Sequence, residues 1–394
     1  MAISRRTLLR RLGAGAAVAV TAPHMRVDAL GATRDGALGE TSRAGEPIRL
    51  NRNENAYGPS GDVVAAMRDT ALTAASRYPD VEAEALRRKI AGVHRVAAEH
   101  VVLGCGSSEI LRIAIDAFVG AQKNLVVALP AFESIDGWAQ RAGARVVGVP
   151  VRRDYTHDLD GMLARIDEET RLIYICNPHN PTGRVTRRQD LEAFLRKLPP
   201  TMVVLIDEAY HHYVGESSDY ASFIDRPFDS GGQQVAQGRP FDSRVIVTRS
   251  FSKIYGLAGL RVGYAIAPAP EARVLASHKL SEGVNVVAAR AAAAALDDTE
   301  HVRTSISRNT DDRQEFFNQA IARMLRPDSV TNFVMLDTGR GAIEVVEHFR
   351  KHGILVSGPI YGFDQYIRVS LGTPAEMREF WRVWDLVLGH NMPM

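Results

Sequence analysis

Cysteine is nearly absent from this chain. Its 394 residues hold two, Cys105 and Cys176, so no disulfide framework carries the fold. Neither spacing suggests a metal site, and the adjacent His211 and His212 face different sides of any regular element, so no metal is expected. A dominant charge of one sign is lacking as well. Lysine and arginine number 48 against 46 acidic residues, a formal net charge of +2, with no long basic run beyond the N-terminus. That balance points to no nucleic-acid partner. No apolar stretch reaches the ~18 residues of a membrane helix, so stable membrane insertion is not expected. What is present is 45% hydrophobic and 24% charged, an ordinary globular composition with length for one large and one small domain.

The N-terminus reads as an export address. Ser4-Arg5-Arg6-Thr7-Leu8-Leu9-Arg10 precedes the weakly apolar Leu12 to Val20, and small residues follow at Ala29 and Ala32. This is the twin-arginine kind of signal, which implies the twin-arginine machinery as a partner and a periplasmic or otherwise exported location. A basic amphipathic first helix is the rival reading. Residues 1 to about 32 are therefore set aside from the fold, and 33 to 47 read as a polar lead-in.

Beyond the lead-in, short apolar runs alternate with helical spacing. Strands are expected at 101–103, 125–129, 145–151, 172–176, 203–206 and 245–247, and later at 333–336 and 366–370. Helices are expected at 63–75, 81–93, 110–118, 158–166, 271–280, 286–296 and 304–325. Several strands end in polar turns. Gly104-Cys105-Gly106-Ser107-Ser108-Glu109 links a strand to a helix, a geometry that aims backbone N–H groups at a phosphate. Asn177-Pro178-His179-Asn180-Pro181-Thr182-Gly183 fixes a tight loop able to present an amide. Asp207 closes another strand, where open α/β sheets place ligand contacts. Lys253 sits beyond Ser250 and Ser252, before a glycine-rich turn and Arg261. An amine so placed suits a Schiff base with a phosphate-bearing aldehyde.

The full string Ser250-Phe251-Ser252-Lys253 through Gly256-Leu257-Ala258-Gly259-Leu260-Arg261 to Gly263-Tyr264 resembles the lysine motif of fold-type I aminotransferases, nearest their histidinol-phosphate aminotransferase group. The resemblance runs from about residue 48 to 388. It implies an α/β fold, with a large domain built on a mostly parallel seven-stranded sheet flanked by helices and a smaller α+β C-terminal domain. The boundaries expected are 33–76 for the N-terminal arm and part of the small domain, 77–297 for the large domain and 298–394 for the small one. It also implies pyridoxal 5'-phosphate, held covalently by the catalytic Lys253. Gly106, Ser107, Ser108, Ser250, Ser252 and Arg261 would hold the phosphate, and Phe132 would stack on the ring. Asn180 and Tyr210 would hydrogen-bond the ring oxygen, and Asp207 would face the ring nitrogen. Arg368, in Ile367-Arg368-Val369-Ser370-Leu371-Gly372-Thr373, would bind the substrate carboxylate, and Asn55 is a further substrate contact. The arm Asn51-Arg52-Asn53-Glu54-Asn55-Ala56-Tyr57-Gly58-Pro59 resembles the family's, with Ala56 for the usual proline. By that resemblance Tyr57 crosses to the partner of a homodimer and touches its cofactor phosphate. Ser108 stands where aspartate is usual.

The activity expected is amino transfer between a small-molecule donor and a 2-oxo acid, by ping-pong kinetics. Histidinol-phosphate enzymes usually carry an arginine where Ser357 follows Gly353-Ile354-Leu355-Val356, so an aromatic or other α-amino acid is the favoured donor. Histidinol phosphate itself stays open as a donor. A phospho-amino-acid decarboxylase would share the cofactor residues, and a non-catalytic sensor domain would lack the DNA-binding segment that normally accompanies it. Arg226-Pro227-Phe228-Asp229-Ser230 recurs at Arg239-Pro240-Phe241-Asp242-Ser243, which reads as a tandem duplication lengthening a surface loop.

Overall fold

Apolar runs too short for helices become strands buried on both faces. The computed structural model describes residues 45–214, 219–225 and 244–388. The twin-arginine segment and the duplicated segment lie outside the described residues. Eleven strands are described: β1 (Ile48–Leu50), β2 (Val101–Gly104), β3 (Asn124–Leu129), β4 (Arg145–Pro150), β5 (Thr170–Cys176), β6 (Val203–Asp207), β7 (Val245–Ser250), β8 (Gly263–Ile266), β9 (Phe333–Asp337), β10 (Ile354–Val356) and β11 (Tyr366–Ser370).

Seven of these form one sheet in the order β2-β8-β7-β6-β5-β3-β4. β8 is antiparallel to both neighbours, and the other pairs are parallel. Parallel strands need cover on both faces, and alternation supplies it. Val126, Ile173, Val204 and Val247 enter one core, while Leu125, Leu172, Leu205 and Ile246 enter the other. The expected mostly parallel seven-stranded sheet is thus present.

The helix Asp80–His94 buries Leu86 and Ile90, four apart on one face, against the first core. The long helix starts earlier than expected, at Thr299, and runs to Ala322. Asp298 caps it by accepting from the His301 amide at 2.9 Å, a cap that apolar spacing alone does not reveal. The helix expected at 110 begins at Ser107, which brings Ser107 and Ser108 into its first turn.

A third core gathers Leu50, Phe316, Phe349, Phe380 and Trp384. Phe349 and Phe380 stack with centroids 4.8 Å apart. Two small sheets frame it: β1 runs parallel to β10, and β9 antiparallel to β11. The arm that follows β1 is tied to the β9 and β11 sheet. Asn332 Nδ2 donates to the Asn53 and Glu54 carbonyls at 3.1 Å each, and the Asn53 amide donates to Ser370 Oγ at 2.7 Å. Among the described residues no helix is long and apolar enough to cross a membrane.

Candidate active site

Because β8 opposes both β2 and β7, β2 points the same way as the parallel strands. The carboxyl ends of β2, β3, β5, β6 and β7 therefore meet at one edge of the sheet. Ligands bind at that edge in open α/β sheets. A cavity of about 1240 Å³ lies there, walled by the strand ends, the arm and the turn after β10. Ser107, Ser108, Phe132, Asn180, Asp207, Tyr210, Ser250, Ser252, Lys253, Arg261 and Arg368 all line it.

Lys253 follows β7 directly, with Phe251 fully buried behind it. Its Nζ donates to the Arg52 carbonyl at 3.2 Å and the Asn53 carbonyl at 3.0 Å. Burial pulls its pKa down to about 8, helped by the Arg368 and Arg261 guanidinium groups and opposed by Glu54 and Asp207. An amine titrating there is available as nucleophile and base near neutrality. A pH dependence follows. The protonated form dominates below pH 8, so apo-protein should combine with pyridoxal phosphate about tenfold more slowly for each pH unit below 8, with a plateau above. Stopped-flow recombination between pH 6 and 10 reads this directly. A rise continuing to the 10.5 of an ordinary lysine would remove the shift.

Asp207 ends β6 beside Thr248 of β7, its partner in register. Oδ1 accepts from Thr248 Oγ1 and from the Ala209 amide at 3.1 Å each, and Oδ2 accepts from Tyr174 at 3.2 Å. Burial nevertheless raises its pKa. A cationic ring nitrogen against it would stabilise the carboxylate that burial disfavours. Tyr210 is also buried, and burial raises its pKa, which keeps the phenol a neutral donor. Its oxygen accepts from Asn53 Nδ2 at 2.9 Å.

The asparagine loop is fixed by Asn177, whose Nδ2 donates to the Thr186 carbonyl and whose Oδ1 accepts from the Thr186 amide, both at 3.0 Å. His179 is buried, held neutral by a pKa pushed down to about 4, and bonded to Thr182 at 2.9 Å. Asn180 Oδ1 accepts from Arg368 Nη1 at 2.7 Å. Arg368 Nη2 donates to the Asn51 carbonyl at 3.1 Å. Its Nε is buried and has no hydrogen-bond partner among the described residues. Arg368 itself lines the cavity, and a buried guanidinium there suits an anion.

The phosphate end is built on close backbone approach. Gly106 is the N-cap of the helix Ser107–Phe118, at φ 79°. A Cβ there would collide with the Arg261 guanidinium, and a Cβ on Gly263 would collide with the Ser107 amide nitrogen. Arg261 Nη1 donates to the Ala258 carbonyl at 2.9 Å and to Ser252 Oγ at 3.3 Å. Helix N–H groups, the hydroxyls of Ser107, Ser108, Ser250 and Ser252, and one guanidinium therefore share a wall, a donor set suited to a phosphate dianion. Together with the lysine, the buried carboxylate and Phe132, these residues fit pyridoxal phosphate.

Tyr57 and Asn55 make their contacts outside this chain's own cavity. Tyr57 is not in the cavity wall. Its hydroxyl donates to Asp312 Oδ2 of its own chain at 2.8 Å, with Arg308 5.0 Å from its ring centroid. Asn55 is not in the wall either. Its Nδ2 donates to the Ile254 carbonyl at 2.9 Å, which straps the arm to the lysine loop. Asn53 takes the place expected of Asn55, lining the cavity and holding both Tyr210 and Lys253. Its φ of 54° is one that asparagine tolerates better than most residues, and the sequence offered no other reason to prefer it over Asn55. Arg49, Glu54, Ser357 and Tyr361 also line the cavity; Arg49 and Tyr361 belong to no motif, and Glu54 belongs to the arm motif without a role assigned to it.

The model of the aminotransferase class I and II family matches residues 46–383. A histidinol-phosphate aminotransferase from Akkermansia muciniphila is 38% identical over 332 residues, covering 84% of this chain and 86% of its own. One from Moorella thermoacetica is 36% identical over 343 residues, covering 86% of this chain and 85% of its own. The crystal structure of histidinol-phosphate aminotransferase from Sinorhizobium meliloti in complex with pyridoxal-5'-phosphate aligns at a TM-score of 0.78 and 28% identity, over 87% of this chain and 92% of that one.

Proposed function

The chain belongs to the aminotransferase class I and II family, with pyridoxal phosphate as its cofactor, and from that premise we propose that it moves the amino group of an α-amino acid, aromatic ones included, to a 2-oxo acid. The observation that carries this choice of donor is Ser357. It is joined to Arg368 by two backbone hydrogen bonds, of 3.0 and 2.7 Å, and it lines the cavity with a hydroxyl where a distal phosphate would need a cation. One buried guanidinium, Arg368, then serves the α-carboxylate.

When bound, pyridoxal phosphate supplies the electron sink that makes a substrate Cα proton acidic. Lys253 Nζ carries that proton. Asp207 would face the ring nitrogen and hold the proton there, and Tyr210 would donate to the ring oxygen. Asn180 does two jobs, since its Oδ1 steadies Arg368 while its Nδ2 stays available to the ring oxygen. Phe132 covers the ring. A homodimer completes the reading, with Tyr57 leaving Asp312 for the partner's phosphate. The twin-arginine segment would deliver the folded, loaded enzyme out of the cytoplasm.

Histidinol phosphate is the second reading, favoured by the names of the relatives. A half-reaction screen separates the two. The purified protein is mixed with single amino acids and with histidinol phosphate, and the loss of its yellow band is followed. Bleaching by an α-amino acid, reversed by a 2-oxo acid, is expected. Bleaching by histidinol phosphate alone would overturn the choice of donor.

A further inference from the structure

A carboxylate offers roughly four lone-pair sites, two on each oxygen. On Asp207 the chain itself fills most of them. Oδ1 accepts from Thr248 Oγ1 and from the Ala209 amide, at 3.1 Å each, and so has both its sites taken. Among the described residues Oδ2 accepts from Tyr174 only, at 3.2 Å. The site left for a ring N–H is therefore on Oδ2, the oxygen that Tyr174 already holds.

Strand register brings the tyrosine there. β5 and β6 pair in parallel with Tyr174 opposite Leu205 and Cys176 opposite Asp207. Tyr174 lies two residues before Cys176 on the same face of β5. Its ring packs in the second core, 3% exposed, and it is not in the cavity wall. It therefore meets neither substrate nor cofactor and acts through Asp207. The Cys176 thiol beside it gives its own proton to the Pro178 carbonyl at 3.2 Å. Burial, with Cys176 and Asp207 close by, holds the Tyr174 phenol well above its ordinary pKa, so it stays a donor.

A buried carboxylate and a ring nitrogen share one proton between two homes. On the nitrogen it makes an ion pair, and on the oxygen a neutral pair. Burial, which raises the Asp207 pKa, favours the neutral pair. Hydrogen bonds to the charged carboxylate favour the ion pair. Of the three donors, Tyr174 is the one on the oxygen with a site to spare.

We propose that Tyr174 is a positioning residue: by donating to the Asp207 oxygen that receives the ring N–H, it keeps the shared proton on the ring nitrogen of pyridoxal phosphate. The inference rests on the aminotransferase reading above for its kinetic consequence, and on the cofactor site for the rest.

The test uses Tyr174→Phe, which removes one oxygen and keeps the ring that fills the core. Apoprotein of both forms is dialysed against pyridoxal phosphate and against its carbon analogue, in which CH replaces the ring nitrogen. The wild-type preference for pyridoxal phosphate should fall about tenfold in the variant, the scale of one hydrogen bond to a charged group, while affinity for the analogue holds within about twofold. Nitrogen NMR of holoenzyme labelled at the ring nitrogen should move from the pyridinium position towards that of neutral pyridine. In turnover, kcat should fall by a similar factor with KM for the amino donor unchanged. A preference that does not move, or a resonance that stays at the pyridinium position, overturns the proposal. So do equal losses of affinity for the two cofactors, which would make Tyr174 a support of the sheet. A wild type that transfers to no 2-oxo acid removes the reading of the reaction, and the dialysis comparison then still decides for or against Tyr174.

Discussion

Lys253→Ala is expected to lower amino transfer by about 10⁴-fold or more, because it removes both the covalent attachment and the proton carrier. The cofactor should still bind, more weakly, since Asp207, Arg261 and the helix N-terminus at Ser107 are untouched. The variant also takes a donor from the Arg52 and Asn53 carbonyls, now bonded at 3.2 and 3.0 Å. Each lost bond costs about 0.5–1.5 kcal/mol, so the arm loosens without the protein unfolding. Two measurements are needed, turnover with the best donor and equilibrium dialysis of pyridoxal phosphate. Partial rescue by a small exogenous amine should accompany the loss. Turnover within tenfold of the wild type would give the proton to another group.

Asp207→Asn is expected to lower kcat by on the order of 10²–10³-fold, the range for removing one preorganised electrostatic contact. The substitution suits the site. Asn Oδ1 can still accept from Thr248 and the Ala209 amide, and Nδ2 can face Tyr174, so the geometry at 3.1–3.2 Å survives. What disappears is the negative charge that keeps the cofactor's ring nitrogen protonated. Because burial already raises the Asp207 pKa, the free carboxylate is costly in this pocket and its removal should not unfold the protein. Thermal melts should therefore match the wild type while kcat falls. An unchanged kcat with an intact melt would assign the ring nitrogen to some other partner.

Much of the central sheet was legible because buried parallel strands are short continuous apolar runs, as at Leu125–Ala128 and Leu172–Ile175. β8 was not, since Gly263-Tyr264-Ala265-Ile266 is only four residues long and continues the glycine- and alanine-rich lysine motif without a break. The helices Arg188–Lys197 and Pro374–Leu388 were passed over as well, although each carries its apolar residues at helical spacing. In the site, residues within tight motifs announced themselves, as Asn180 and Lys253 did. Arg49 did not, and Asn53 and Glu54, although inside the arm motif, had no role that the motif alone assigns. Their meaning depends on how an arm without regular structure crosses the cavity, and the pairing of Ile48–Leu50 with Ile354–Val356 that sets its course joins opposite ends of the chain.

The antiparallel strand β8 also sets a schedule for synthesis. It seats the phosphate wall, bringing Gly263 against Ser107, and it docks on β2 beside a bond from His100 to the Ala267 carbonyl, 167 residues further along. At about 5–20 residues per second, a ribosome leaves the first half of that wall waiting roughly 10–30 s for the second. During that interval β2 has no partner on the side that β8 will take, and the nascent chain has no place to hold a cofactor phosphate. Cofactor capture is therefore a late event in the life of each molecule, which makes it a natural sign that the sheet has closed.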